Sequence, residues 1–98
     1  MEQIELARIS KALSDPSRLR ILEGISSRRE MFCRQVVEEY KLTPGTVSHH
    51  LKILADANLI ETRRKGQFIY LKSQPETLRE NGRALNRMAG KKKAASKS

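Results

Sequence analysis

The sequence predicts a mainly helical domain with one small β-hairpin, in the order α-α-(β)-α-α-β-β-α. Three observations predict it. Apolar residues recur at helical spacing through most of residues 2–59. Asp15-Pro16 and Thr43-Pro44 each set a capping oxygen just before a proline, which marks two helix starts. After Leu59 the apolar period drops from about 3.6 residues to about 2, the spacing of strands. At 98 residues the chain is one domain near the low end of what folds alone, and a 38% apolar content without Trp leaves a modest core. A dimer would enlarge it.

Taken in order, residues 2–13 carry Ile4, Leu6, Ile9 and Leu13 among Glu, Arg and Lys, an amphipathic helix ended by Ser14-Asp15-Pro16. Asp15 caps the second helix, which runs to about Ile25 with Leu19, Leu22 and Ile25 inward and Arg18 and Arg20 elsewhere on its surface. Ser26–Glu30 is a polar connection, and Met31-Phe32-Cys33 reads as one short extended strand. A third helix, about Arg34 to Tyr40, offers Val36, Val37 and Tyr40 to the core, and Lys41-Leu42 is the turn that follows.

Residues 42–59 organise the rest. The Thr43 hydroxyl is placed to accept from a first-turn N–H, and Pro44 follows where a missing N–H costs nothing. Val47, Leu51 and Leu54 form one apolar stripe. The opposite face carries Gly45, Thr46, Ser48, His49 and Lys52, with no acidic residue before Asp56. Such a face can approach a phosphate backbone without repulsion. It reads as a helix that lies against DNA.

Leu59–Arg63 and Gln67–Leu71 are strand-like and separated by Arg64-Lys65-Gly66, where Gly66 supplies the positive φ of a tight turn. The expected hairpin tip thus holds Arg63, Arg64 and Lys65, and the ribbon must lean on the helices to be stable. Ser73-Gln74-Pro75-Glu76 has capping-box form and starts a last helix, with Leu78, Gly82, Leu85 and Ala89 on one stripe. Gly90 is expected to stop that helix after Met88. Residues 91–98 hold Lys and small residues only, so the expected division is a folded domain over 1–90 and a basic disordered tail over 91–98.

A formal charge of +9 implies a polyanionic partner. No apolar run approaches the ~20 residues of a spanning helix, and Met1–Leu13 alternates charged and apolar residues unlike a secretory signal. The single Cys33 excludes an internal disulfide and fits a reducing compartment. The expected placement is cytoplasmic and nucleoid-associated, with no membrane partner. Four helices followed by a basic hairpin form a winged helix-turn-helix plan, in which the fourth helix enters the major groove and the wing follows the flanking backbone. Pro44, Gly45, Thr46, Ser48, His49 and Lys52 are the candidate DNA contacts on the helix. Arg63, Arg64, Lys65 and Gln67 are the wing's candidates, and Arg18 a backbone pin beside the helix.

The stretches 11–22 (KALSDPSRLRIL), 42–60 (LTPGTVSHHLKILADANLI) and 64–71 (RKGQFIYL) together resemble the ArsR family of bacterial transcriptional repressors, over roughly the first 89 residues. The resemblance implies a homodimer that binds double-stranded operator DNA and loosens when an effector arrives. It implies a dimer interface from the first and last helices, which would account for Ile4, Ile9, Leu13, Leu78 and Leu85. Metal-sensing members begin the third helix with a cysteine pair; the pair positions here hold Phe32 and Arg34, with Cys33 between them. A second family site uses Asp and His on the last helix, and residues 75–88 hold no Asp, His or Cys. Soft metals need several converging thiolates or imidazoles, so neither a metal nor another cofactor is expected.

Cys33 stays open between a small buried hydrophobe and a redox switch that would pair with the other subunit's copy or a small thiol. His49 and His50 point about 100° apart on a helix and cannot chelate one ion together. His49 suits a phosphate or base edge, and His50 the neighbouring helix or the groove's edge. No carboxylate pair, nucleophile–base arrangement or phosphate-cradling Gly loop is visible, which argues against an enzyme. The expected function is sequence-specific repression by a homodimer without the usual metal-sensing cysteines. Its alternatives are an architectural or non-specific DNA-binding protein, a repressor answering to Cys33 oxidation, and a protein-interaction module on the same fold.

Overall fold

The computed structural model describes the backbone of residues 1–96 and the side chains of residues 1–90. Its elements are α1 (Gln3–Ala12), α2 (Pro16–Ser26), β1 (Met31–Phe32), α3 (Cys33–Tyr40), α4 (Pro44–Asp56), β2 (Ile60–Lys65), β3 (Phe68–Ser73) and α5 (Pro75–Ser96). The two helix starts form as their chemistry dictates: Asp15 Oδ2 accepts from the Arg18 N–H at 3.0 Å, and Thr43 Oγ1 accepts from the Thr46 N–H at 3.2 Å. Cys33 opens α3 instead of closing β1, because the Phe32 N–H is taken by the Gln35 side chain at 2.8 Å.

The three strands form one antiparallel sheet in the order β1-β3-β2. Met31 pairs with Leu71, and Ile60 with Ser73 through to Lys65 with Phe68. Strand pairing therefore leaves Gly66-Gln67 as a two-residue turn, with φ of +60° at Gly66. This corrects the expected tip. Arg63, Arg64 and Lys65 lie within β2, opposite Tyr70, Ile69 and Phe68.

The core lies between the sheet's inner face and α1–α4. Ile9, Ile21, Ile25, Val36, Val47, Leu54, Leu59 and Leu71 are each at most 2% exposed. Removing an aliphatic side chain of this size from water contributes about 1.5–3 kcal/mol before entropy is charged against it. On α2 the buried stripe is Arg18, Ile21, Leu22 and Ile25, a strict i, i+3, i+4, i+7 series, so the expected inward Leu19 is instead 47% exposed. Tyr40 of α3 crosses to α2, where its hydroxyl donates to the Arg20 carbonyl at 3.0 Å. Gly24 leaves room for that ring; a Cβ there would collide with the Tyr40 hydroxyl.

Two expectations for the C-terminal segment fail. Ser73 ends β3 rather than capping α5, and Glu76 turns instead to Arg79 at 3.0 Å and Arg83 at 3.6 Å. Gly90 does not stop α5, which is helical to Ser96. An interior Gly costs a helix only about 1 kcal/mol, and no Pro follows it to force an end. The expected tail is thus helical over 91–96, and its last two residues lie outside the described ones.

Candidate nucleic-acid interface

Helix α4 presents two unlike faces. Val47, His50, Leu51 and Leu54 are buried, while Pro44, Gly45, Thr46, Ser48, His49 and Lys52 are all exposed on the other side. The Thr43 hydroxyl donates to Thr46 Oγ1 at 2.9 Å, which ties the exposed Thr46 side chain to the helix cap. No acidic residue occupies the first turn. The positive end of the helix dipole therefore faces solvent undamped. Pro44 has no N–H and those of Thr46 and Val47 are taken by Thr43, so the Gly45 N–H is the first-turn donor left for a phosphate oxygen. Lys52 lies one turn further on, loosely paired with Asp56 at 3.4 Å.

The wing brings four more expected residues to the surface. Arg63 and Lys65 share the sheet's outer face with Tyr70 and Phe68, and Arg64 points to the opposite one. Arg63 is held by Glu61 at 3.2 Å, and the Lys65 ammonium lies 5.6 Å from the Tyr70 ring centre. Arg64 and Gln67 are exposed. Phe32 packs edge-on to Tyr70 at 4.8 Å and against Phe68 at 5.8 Å, so the outer face of the hairpin is stiffened by three rings.

Arg18 is not where a backbone pin should be. It is 9% exposed, and its guanidinium turns inward. Nε donates to the Ala12 carbonyl at 2.8 Å, Nη2 to the Lys11 carbonyl at 3.4 Å, and Nη1 meets His50 Nδ1 at 3.3 Å. The first two close the C-terminal end of α1, whose carbonyls carry partial negative charge. The third ties α2 to the inner side of α4. Because guanidinium can only donate, His50 accepts through Nδ1 as a neutral ring with its proton on Nε2. Burial pushes the His50 pKa down, Arg18 and His49 push it the same way, and Asp15 opposes them. Asp15 itself is held below the usual carboxylate range, first by the Arg18 backbone N–H.

This clamp was missed in the sequence, although a signal existed. Arg18 stands three, four and seven residues before Ile21, Leu22 and Ile25, which is the buried stripe of α2. Its charge suggested solvent, but its spacing placed it inside.

The expected dimer residues divide. Ile4 is 69% and Leu85 46% exposed, free for a partner. Leu13 and Leu78 are half-buried against the protomer's own core. Ile9 is 2% exposed and belongs to that core, so it is unavailable to a second copy. Exposed Met88 and Leu19 extend the apolar surface instead. Cys33 is half-buried, beside Phe32, Val37 and Phe68, and burial raises its thiol pKa. Arg34 does not reverse that, which removes the argument for an activated thiolate. Among the described residues no group of three or more His, Cys, Asp or Glu side chains could hold a metal ion.

Known proteins match this arrangement. A helix-turn-helix domain model matches residues 13–63. The chain is 36% identical over 73 residues to the transcriptional repressor SdpR of Bacillus subtilis, covering 74% of this chain and 80% of that protein. It is 42% identical over 66 residues to the arsenical resistance operon repressor of Staphylococcus xylosus, covering 67% of this chain and 62% of that one. Among solved structures it is similar to the homodimeric winged helix-turn-helix DNA-binding domain of a candidate ArsR-family regulator from Mycobacterium bovis. That likeness has a TM-score of 0.70 at 26% identity, over 89% of this chain and 79% of the other. A matched segment that spans the buried core of α2–α4 and the first wing strand, with repressors as relatives, gives the identity: the chain belongs to the ArsR family of winged helix-turn-helix transcriptional regulators.

Proposed function

We propose that the chain is a homodimeric repressor that binds operator DNA with residues 1–90 as its DNA-binding and dimerisation unit. The observation that carries this is the division of α4: an outer face with no acid before Asp56 over a buried inner one. Pro44, Gly45, Thr46, Ser48 and His49 would meet base edges and phosphates in the major groove, with Lys52 on the backbone. Arg63, Arg64, Lys65 and Gln67 of the wing would follow the flanking backbone. The relatives named as repressors and the homodimeric solved structure support this reading. Ile4 and Leu85 are the remaining interface residues, and two-fold symmetry would set the recognition helices one turn apart, about 34 Å. Binding would occlude the promoter, and the site of action would be cytoplasmic DNA. No catalytic role is part of this reading.

The test is fluorescence-anisotropy titration of the upstream promoter DNA against scrambled duplex at fixed salt. Operator binding is expected at least a hundredfold tighter than scrambled binding. Ser48→Ala with His49→Ala should remove most of that ratio while thermal stability is unchanged. Equal affinity for both duplexes would sink specific repression and favour an architectural role, for which the +9 charge alone would suffice.

A further inference from the structure

A guanidinium that is nine-tenths buried ordinarily has a carboxylate beside it. Arg18 has none within 4.0 Å among the described residues; the Asp15 carboxylate acts on it only at longer range, and its direct acceptors are two carbonyls and a neutral imidazole. Those contacts use three of its five N–H groups, leaving one on each terminal nitrogen. The same side chain lines an open groove of about 450 Å³ between α1 and α4. The groove's apolar walls are Ile4, Ala7, Ala12 and Ile53, and Arg8 and Lys11 stand at its edge. Asp56, the acid at the rim, is engaged by Lys52 at 3.4 Å. The volume falls in the range of small-ligand sites, and an apolar cleft with a few convergent polar groups is their usual composition.

We infer that this groove is an effector site for a small carboxylate with a short apolar tail, its head on Arg18 and its tail along Ala7 and Ile53. A carboxylate accepts two parallel N–H bonds from one guanidinium, a stronger arrangement than a single bond to a neutral ring. It would take the free N–H on each terminal nitrogen and pull the guanidinium toward the groove, which would lengthen the Nη1–His50 bond and loosen the inner side of α4 from α2. An apolar anion so bound would favour conformations in which the recognition helix is less firmly set. Only this last step rests on the DNA-binding reading; occupancy of the groove does not. Of the lining residues only Ile4 belongs to the proposed dimer face, and the cations Arg8, Lys11 and Arg18 suit an anion.

Octanoate is the probe, with sulfate as the small-anion control, and both are titrated into the full-length protein by calorimetry and by NMR of the His50 ring. The expected result is saturable binding of one octanoate per protomer, a shift of the His50 ring resonances, and at least tenfold weaker binding of sulfate. Ala7 is exposed, so Ala7→Trp fills the groove without disturbing the core. It should abolish octanoate binding and keep operator affinity within twofold. Octanoate should then weaken operator binding about tenfold in the wild type and not in Ala7→Trp. Absence of saturable binding to the folded wild type, or equal binding by Ala7→Trp, overturns the site. Equal affinity for sulfate overturns the apolar tail, and dissociation to monomers by Ala7→Trp would assign the groove to the second copy instead. Octanoate binding with no effect on a measured operator complex would overturn the coupling alone.

Discussion

Helix α4 and the β2–β3 hairpin both carry polar and basic side chains outward, yet they hold them by different means. Behind α4 stands a buried layer: Val47, Leu51 and Leu54 in the core, and His50 fastened to Arg18 at 3.3 Å. The exposed residues of that helix inherit their positions from the fold. The hairpin past Ile60 has no such backing, since β2 reads buried at Ile60 and exposed from Thr62 to Lys65. Its stiffness comes from cross-strand pairs and the Phe32, Phe68 and Tyr70 rings. A base-reading element needs fixed geometry, whereas a backbone-following one needs charge at an adjustable distance. The two regions differ in the way the proposed division of contacts requires.

That contrast is most exposed to failure in α4. Leu54→Ala removes a side chain that is fully buried, and should cost about 2–5 kcal/mol of stability. Chemical denaturation would show the midpoint fall, with operator affinity lost as the folded fraction falls. The matching change in the wing, Arg64→Ala, should leave the midpoint within about 0.5 kcal/mol. Similar midpoints for both variants would mean that α4 is not anchored by its inner face.

The same difference explains what could be read in advance. Apolar spacing located every helix and the strand change at Leu59, because burial imposes periodicity on the chain itself. Charges were harder to place. Arg18 and Arg64 are the same residue type, and composition gave both to the DNA. Long-range packing decided otherwise for Arg18, since Ala12 and His50, six and thirty-two residues away, supply its acceptors. Leu19 was misplaced inward for the converse reason: its apolarity was weighed above its place off the stripe. The hairpin tip shifted by two residues because register is set by cross-strand pairing, which a basic run does not encode. Gly24 gave no local sign either, since the Tyr40 ring it accommodates comes from another helix.

Gly24→Ala tests that packing behind the recognition helix. The added methyl collides with the Tyr40 hydroxyl, so a loss of about 1–3 kcal/mol is expected. Tyr40→Phe removes the obstructing oxygen, at the cost of its bond to the Arg20 carbonyl. The double variant should lose less than the sum of the single ones, by about 0.5 kcal/mol or more. Strict additivity in urea unfolding would show that the two residues do not meet.

Within the wing, the pairing of charges ranks the contacts. Arg63 is already engaged by Glu61 at 3.2 Å, whereas no ion pair among the described residues involves Arg64. Arg64→Ala should weaken operator and scrambled duplex alike, several-fold, and reduce the salt slope by about 1. Arg63→Ala should do less, because its guanidinium already gives a donor to Glu61 and offers a phosphate fewer free N–H groups. A larger or sequence-selective effect at Arg63 would make the wing a reader of bases.

The smallest effect concerns the clamp, and it separates the two regions by pH. His50 has its pKa lowered chiefly by burial, with Arg18 and His49 adding to the effect and Asp15 opposing it. The unfolded chain takes up the His50 proton near the ordinary value of about 6.5, while the folded one still resists it. More protons bound to the unfolded state means that stability falls as pH drops below about 6.5 and is fully present above it. Below the folded pKa the loss is complete and the curve flattens. Thermal unfolding between pH 5.5 and 7.5 should show this decline in the wild type. His50→Gln offers Arg18 a carbonyl acceptor with no proton to gain, so its decline should be shallower. An unchanged slope in His50→Gln would place the titration elsewhere and dissolve the claim that α4 is fastened from within. A reduced slope, with the Arg64→Ala protein still following the wild type, would locate the fastening at α4 and leave the wing free of it.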